Sequence, residues 1–177
     1  MKKTIQISGL LFLFFMSYSG YSQVPIKTIT EPVAYNDYIV NQQNLIGKNL
    51  LSFIDVFSDT TASKNDATSR LNIVILTASD AIDNLNSLKT YDPDFGLKQS
   101  ALNLFSFYKR VMGTTYFSIL DEVYSAQPDS QKVNELVASI TEEEAGFDKA
   151  YADAQEKFAA ANNFTLEKNE LEEKFNN

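Results

Sequence analysis

Neither cysteine nor histidine occurs anywhere in the 177 residues. Without cysteine the chain can form no disulfide, the usual staple of a small exported domain. No lipid anchor carried on a cysteine behind a leader peptide is expected. Without histidine it lacks the commonest general base, the commonest zinc ligand and the usual haem ligand. Ser-His-Asp and Cys-His catalytic arrangements are excluded, and so are the Glu-x-x-His metal sites of ferritin-like bundles. No cofactor and no metal is expected. Basic residues are also few: 15 Lys and Arg face 23 Asp and Glu, for a net charge of −8. So acidic a chain is a poor ligand for nucleic acid or anionic lipid. It shows no strand-like alternation of useful length and no internal repeat.

The one long apolar run stands at the start. Met1-Lys2-Lys3 is followed by apolar residues from Ile5 to Met16, then by small and polar residues through Ser22. A basic start, a short apolar centre and small residues before a cut are the marks of a secretory signal. The run is shorter than the about 20 residues that span a bilayer. Residues 1–22 are therefore expected to be a cleaved signal peptide, leaving 155 residues that begin near Gln23. The loss of Lys2 and Lys3 takes the net charge from −8 to −10. That length suffices for one domain with its own core. No further stretch approaches membrane length, so no membrane insertion is expected after signal removal.

Helical spacing of apolar residues organises the rest. Pro32 suits a first helical turn, and Tyr35, Ile39, Ile46, Leu50, Phe53 and Phe57 share a face, predicting a helix over residues 32–57. Residues 58–66 have loop composition, with Asn65 or Asp66 as the N-cap of a second helix. That helix carries Ala67, Leu71, Val74, Ala78, Ile82 and Leu85 and ends near Lys89. After the turn at Tyr91-Asp92-Pro93-Asp94, a third helix carries Leu97, Ala101, Leu104, Phe105, Tyr108, Met112, Thr115, Ile119 and Val123, ending near Tyr124. The fourth starts near Asp129 or Ser130. Its stripe of Val133, Leu136, Ile140, Phe147, Tyr151, Ala154, Phe158 and Ala161 keeps its phase for some thirty residues, which favours one long helix. Thr141-Glu142-Glu143-Glu144 also fits a capping box that would start a new one. Asn162-Asn163 ends it. Helices of this length would run about 40–48 Å, and short loops force antiparallel neighbours. The expected fold is all-α: an up-down-up-down four-helix bundle over residues 23–163, followed by a charged tail over residues 164–177.

Few residues suggest a site. Between Asp94 and Asp121 the third helix has no acidic residue. Arg110, Gly113, Phe117 and Tyr124 share the side opposite its apolar stripe. A basic and aromatic patch there would suit a partner helix, a glycan or an acidic group. The competing reading is a helix packed on two sides, under the chain's own ends. Glu143 and Glu144 fall where the fourth stripe is due an apolar residue. There a carboxylate would be an inward acid of raised proton affinity or half a metal site, or else a solvated turn or capping box. No metal partner stands at helical spacing, which favours the latter. Gln42 and Asn49 lie near the core side of the first helix, either in a buried polar contact or at the bundle edge. Asp92-Pro93-Asp94-Phe95-Gly96 mimics the start of a calcium loop but lacks the later ligands and closing Glu of an EF-hand, so a turn and helix cap explain it better.

Three stretches carry a resemblance: Val33-Ala34-Tyr35-Asn36-Asp37-Tyr38-Ile39-Val40, Leu104-Phe105-Ser106-Phe107-Tyr108-Lys109, and Ile140-Thr141-Glu142-Glu143 running into Ala154-Gln155-Glu156-Lys157-Phe158-Ala159. Together they resemble a family of small exported helical proteins of Bacteroidota and leptospires known only as surface proteins. Tyr21-Ser22-Gln23 is similar to signal ends of Bacteroidota. Asp59-Thr60-Thr61 resembles the short sequence used for O-glycosylation of exported proteins in that phylum, making Thr60 a candidate glycan site; a plain polar loop is the alternative. The resemblance implies an envelope location and a helical fold, and it carries no catalytic or binding residue.

The expected protein is thus exported to the periplasm or the cell surface. It has a structural or protein-interaction role toward a protein or glycan partner, and no catalytic activity. The alternative is a carrier of a small apolar or amphipathic ligand held within the bundle. An enzyme working through carboxylates alone would need two acids facing one pocket, and only Glu143 or Glu144 lies near the interior.

Overall fold

The computed structural model describes residues 27–166. The signal expected at 1–22 and most of the tail expected at 164–177 lie outside them. Five helices follow in order: α1 (Pro32–Ser58), α2 (Lys64–Asn86), α3 (Leu97–Gly113), α4 (Thr115–Val123) and α5 (Ser130–Ala161). The described residues contain no strand. One isolated bridge joins Lys27 to Leu88, through hydrogen bonds of 2.8 Å from Lys27 to Ser87 and from Lys89 to Lys27.

The all-helical bundle character follows the apolar spacing, and each start has a local cause. Pro32 opens α1, where its missing N–H would be unpaired in any case. Ser63, rather than Asn65 or Asp66, caps α2. Its hydroxyl accepts from the Asp66 amide while the Asp66 carboxylate accepts from the Ser63 amide, closing a capping box. The cap thus lies two or three residues earlier than expected, with Asp66 in the reciprocal role. Gly96, not an Asp, stands at the N-cap of α3, and Asp94 two residues before it accepts from the amides of Gly96 and Lys98. Asp129 accepts from Gln131 and Lys132 and starts α5. No new helix begins at Thr141, whose hydroxyl donates back to the Val137 carbonyl inside an unbroken α5.

The expected third helix is two. It breaks at Thr114, with φ −131 and ψ −74. Thr114 donates its side chain back to the Arg110 carbonyl at 2.8 Å, a bond that competes with the helical ladder. Redirected by the break, α4 sets Tyr116 edge-on against Phe53 of α1, with ring centroids 5.6 Å apart.

The helices meet at two poles. At one, the start of α1, the ends of α2 and α5 and the turn before α3 converge. Tyr35 lies 5.5 Å from both Tyr91 and Phe158, Tyr91 lies 5.3 Å from Phe158, and Phe164 closes on Phe158 at 6.0 Å. At the other, Lys64 of α2 pairs with Asp121 of α4 at 2.8 Å, and Lys132 of α5 with Glu122 of α4 at 2.7 Å. Between the poles, Ile39, Ile46, Leu71, Val74, Leu104, Phe105 and Ile119 are buried. Each fully buried side chain of this size contributes roughly 1.5–3 kcal/mol, and this burial rather than intrinsic propensity holds the helices. Helix α3 sits between α2 and α5, so Phe107 and Val111 are buried besides Leu97, Ala101, Leu104, Phe105 and Met112 of its expected stripe, while Tyr108 is half-buried. On α5, Ala159 is buried where Ala161 was expected, and Ala161 is exposed.

Candidate functional site on the third helical span

The break at Thr114 separates the expected outer patch into two groups with different neighbours. Arg110, near the end of α3, is exposed and pairs with Glu143 of α5. Its guanidinium also stands 5.4 Å from the Phe107 ring, within reach of a cation–π attraction. Gly113 ends α3 and is exposed. Beyond the break, Phe117 is half-buried against the core, and the Tyr124 hydroxyl reaches toward the Ala62 carbonyl at 3.4 Å. Arg110 therefore faces α5 while Tyr124 faces the loop between α1 and α2. The span is packed on two sides, against α5 and against the loop between α1 and α2.

What the structure brings together instead is the seam between α3 and α5. Phe107 stacks on Phe147 at 5.0 Å, with ring planes 28° apart. At the next residue of each helix, the Tyr108 hydroxyl stands 3.4 Å from Asp148. Of the two carboxylates in question, Glu143 is exposed and Glu144 is half-buried. Burial raises the proton affinity of Glu144, the Asp148 charge raises it further, and a hydrogen bond from Tyr108 opposes both. The Tyr108 phenol is held protonated by burial and then by the charges of Asp148 and Glu144. Tyr116 is raised by burial and by Glu144.

This arrangement can hold a proton on an inward carboxylate. A carboxylate pair that hydrolyses a glycoside must flank the bond it cleaves, about 5–10 Å apart. Glu144 and Asp148 instead lie one turn apart on the same helix, both turned to Tyr108. Among the described residues no group of three or more acidic side chains is placed to hold a metal ion.

The remaining sequence candidates are placed as follows. Thr60 is exposed in the loop between α1 and α2, beside Asp59, which accepts from both the amide and the hydroxyl of Thr61 at 2.8 and 2.7 Å. Gln42 and Asn49 do not meet each other. Gln42 is buried and accepts from Asn84 at 3.0 Å, and Asn49 donates to Thr77 at 2.9 Å, so both tie α1 to α2.

Two features escaped the sequence. Asn36 is buried and accepts from Gln155 of α5 at 2.9 Å; its place beside Tyr35 on the first stripe was the available signal. A cleft of about 350 Å³ opens where α2 ends and α3 begins, lined by Asn86, Thr90, Asp94, Lys98, Gln99 and Leu102. Its residues come from both sides of a turn, and no spacing rule joins them. It is polar, unlike the apolar cavity at this span that an apolar-ligand carrier would use.

Compared with models of protein families, with curated proteins and with solved structures, the chain matches none.

Proposed function

We propose that this chain is an exported, up-down-up-down four-helix bundle that works as a structural or protein-interaction module of the cell envelope, without catalysis of its own. The basic, apolar and small-residue pattern of residues 1–22 supports export. The resemblance to exported helical surface proteins supports an envelope location, periplasmic or at the surface. Among the described residues no helix is long and apolar enough to cross a membrane.

The observation that carries the interaction reading is the outer face of the α1–α2 pair. Leu45 is 51 % exposed, Ile73 40 % and Leu76 63 %, while the Asn49–Thr77 hydrogen bond joins the two helices between them. Single exposed apolar residues are ordinary, but a group of them on one face is a common mark of protein contact. A partner protein with apolar side chains fits this face.

The test is site-specific photo-cross-linking in the native envelope, with the reactive group at Leu76 and, as control, at Gln131 on α5. A discrete adduct from position 76 alone is expected. No adduct at 76, or equal adducts at both positions, overturns the reading. Native mass spectrometry of the purified protein addresses the alternative: extra mass lost on denaturation would favour a ligand carrier. It would also reveal the cleavage point and any glycan at Thr60.

A further inference from the structure

Two hydrogen bonds fix the register of the α1–α2 pair. Asn49 donates to Thr77 and Asn84 donates to Gln42, so seven residues back along α1 is seven residues forward along α2. In that register four charged residues match across the pair. Lys48 stands within about 3 Å of the level of Asp80, and Asp55 within about 2 Å of the level of Arg70. All four are exposed. None of them makes an ion pair among the described residues, whereas Lys64, Arg110, Lys132 and Lys149 each find an acid. These charges are matched in level and opposite in sign, yet they go unpaired within one chain.

The exposed apolar residues lie among them. Leu45 and Lys48 are three residues apart, and Ile73, Leu76 and Asp80 follow at spacings of three and four, so each set forms one exposed stripe of its helix. Leu45, Ile73 and Leu76 fall within about 12 Å along the helix axis. A second copy turned about a two-fold axis parallel to the helices lays its α2 over this α1 and its α1 over this α2. Every residue keeps its own level, and the same patch serves both copies. Lys48 then meets Asp80 of the second copy, Asp55 meets its Arg70, and each contact occurs twice. The 23 residues of α2 give a face about 34 Å long. Two helices side by side make it on the order of 700 Å², close to the about 800 Å² that each partner of a stable pair buries.

We propose that the outer face of the α1–α2 pair docks on the same face of a second copy of this chain. The inference rests on the interaction reading above and names the partner. Leu45, Ile73 and Leu76 form the apolar centre, and the Lys48–Asp80 and Asp55–Arg70 contacts set orientation and register. A net charge of −8 opposes the meeting of two copies, so the match of charges on this face selects it from the rest of an acidic surface.

The test is sedimentation equilibrium of the purified protein at about 0.15 M salt, where a Debye length of about 8 Å screens the net repulsion. The wild type is expected to dimerise. Lys48→Asp and Asp80→Lys should each weaken the dimer about tenfold, through two like-charge contacts per dimer. An equimolar mixture of the two variants should regain wild-type association, because every such contact in the mixed dimer again joins opposite charges. An attraction within one chain could not be rescued by mixing. Both positions are exposed, and unchanged circular dichroism will separate lost docking from lost fold. A wild type that stays monomeric, variants that dimerise as it does, or a mixture no better than its components overturns the proposal. The adduct from position 76 separates this failure from that of the interaction reading. An adduct of twice the chain's mass supports both. One that carries another protein keeps the interaction reading and overturns the second copy, and the absence of any adduct overturns both.

Discussion

Gln155 of α5 donates a 2.9 Å hydrogen bond to Asn36 of α1, joining the first and last helices of the bundle at a position where Asn36 is 6 % exposed. Leaving one buried amide without its partner costs about 1–3 kcal/mol, whereas replacing both partners by apolar groups is close to neutral. Gln155→Ala should therefore destabilise the fold by that amount, and the Asn36→Leu, Gln155→Leu pair by less. Denaturant unfolding of the three proteins reads this directly. A double variant as unstable as the single one would show that packing rather than pairing matters there.

Phe105 and Phe158 are fully buried. Truncating either to Ala should cost about 3–5 kcal/mol through lost transfer energy and the cavity left behind. Thermal unfolding that leaves both variants unchanged would refute their place in the core.

Ser63→Ala removes one half of the capping box at the start of α2. The expected loss is about 0.5–2 kcal/mol, and amide exchange should speed up first in the opening turn of α2. Protection unchanged at Asp66 and Ala67 would argue that the cap is not holding that turn.

How much of this was legible beforehand depended on the kind of signal. Periodic signals are legible: the stripe through Tyr35, Ile39 and Phe53, and the long stripe through Ile140 and Phe158, each mark one continuous helix. The break at Thr114 was not legible, because Gly113 and Thr114 are tolerated inside helices and the apolar phase runs across them. Only the Thr114 back-bond and the packing of Tyr116 on Phe53 end α3 there. The expected outer patch failed to gather for the same reason: a wheel drawn for one straight helix aligns Arg110 with Tyr124. Which of Glu143 and Glu144 turns inward depends on where α5 meets Tyr108, a tertiary contact with no local sequence mark.

Glu144 also gives a pH signature. Its proton affinity in the fold lies above the ordinary value near 4.5, chiefly through burial. Such a carboxylate stabilises the fold fully below that ordinary value, and the contribution is lost as pH rises through the folded one. Asp66 and Glu122 act in the opposite sense, being lowered by Ser63 and Lys132, so the total curve mixes the two. The difference between the wild type and Glu144→Gln isolates one group. The variant should melt higher than the wild type at about pH 7, with the advantage gone by about pH 4. An advantage independent of pH would mean that Glu144 titrates in solvent.

Gly113 tests the break. A Cβ built there meets nothing within 4 Å. Gly113→Ala is expected to raise stability by up to about 1 kcal/mol while the slow-exchange pattern still changes at Thr114. A loss of stability would show that the break needs the freedom of glycine.

The aromatic pole has a consequence for the order in which this chain can reach its final form. Tyr35 and Tyr91 are made first, and the rings that complete their cluster, Phe158 and Phe164, come only with the end of α5 and the residues after it. A polypeptide emerging from its amino end can pair α1 with α2 and still wait for α3, α4 and nearly all of α5 before that pole shuts. Contacts between residues so distant in sequence form late and slowly. Loss of the last few turns of α5 would therefore leave a partly assembled bundle with Tyr35 and Tyr91 bare, a form open to proteolysis and self-association.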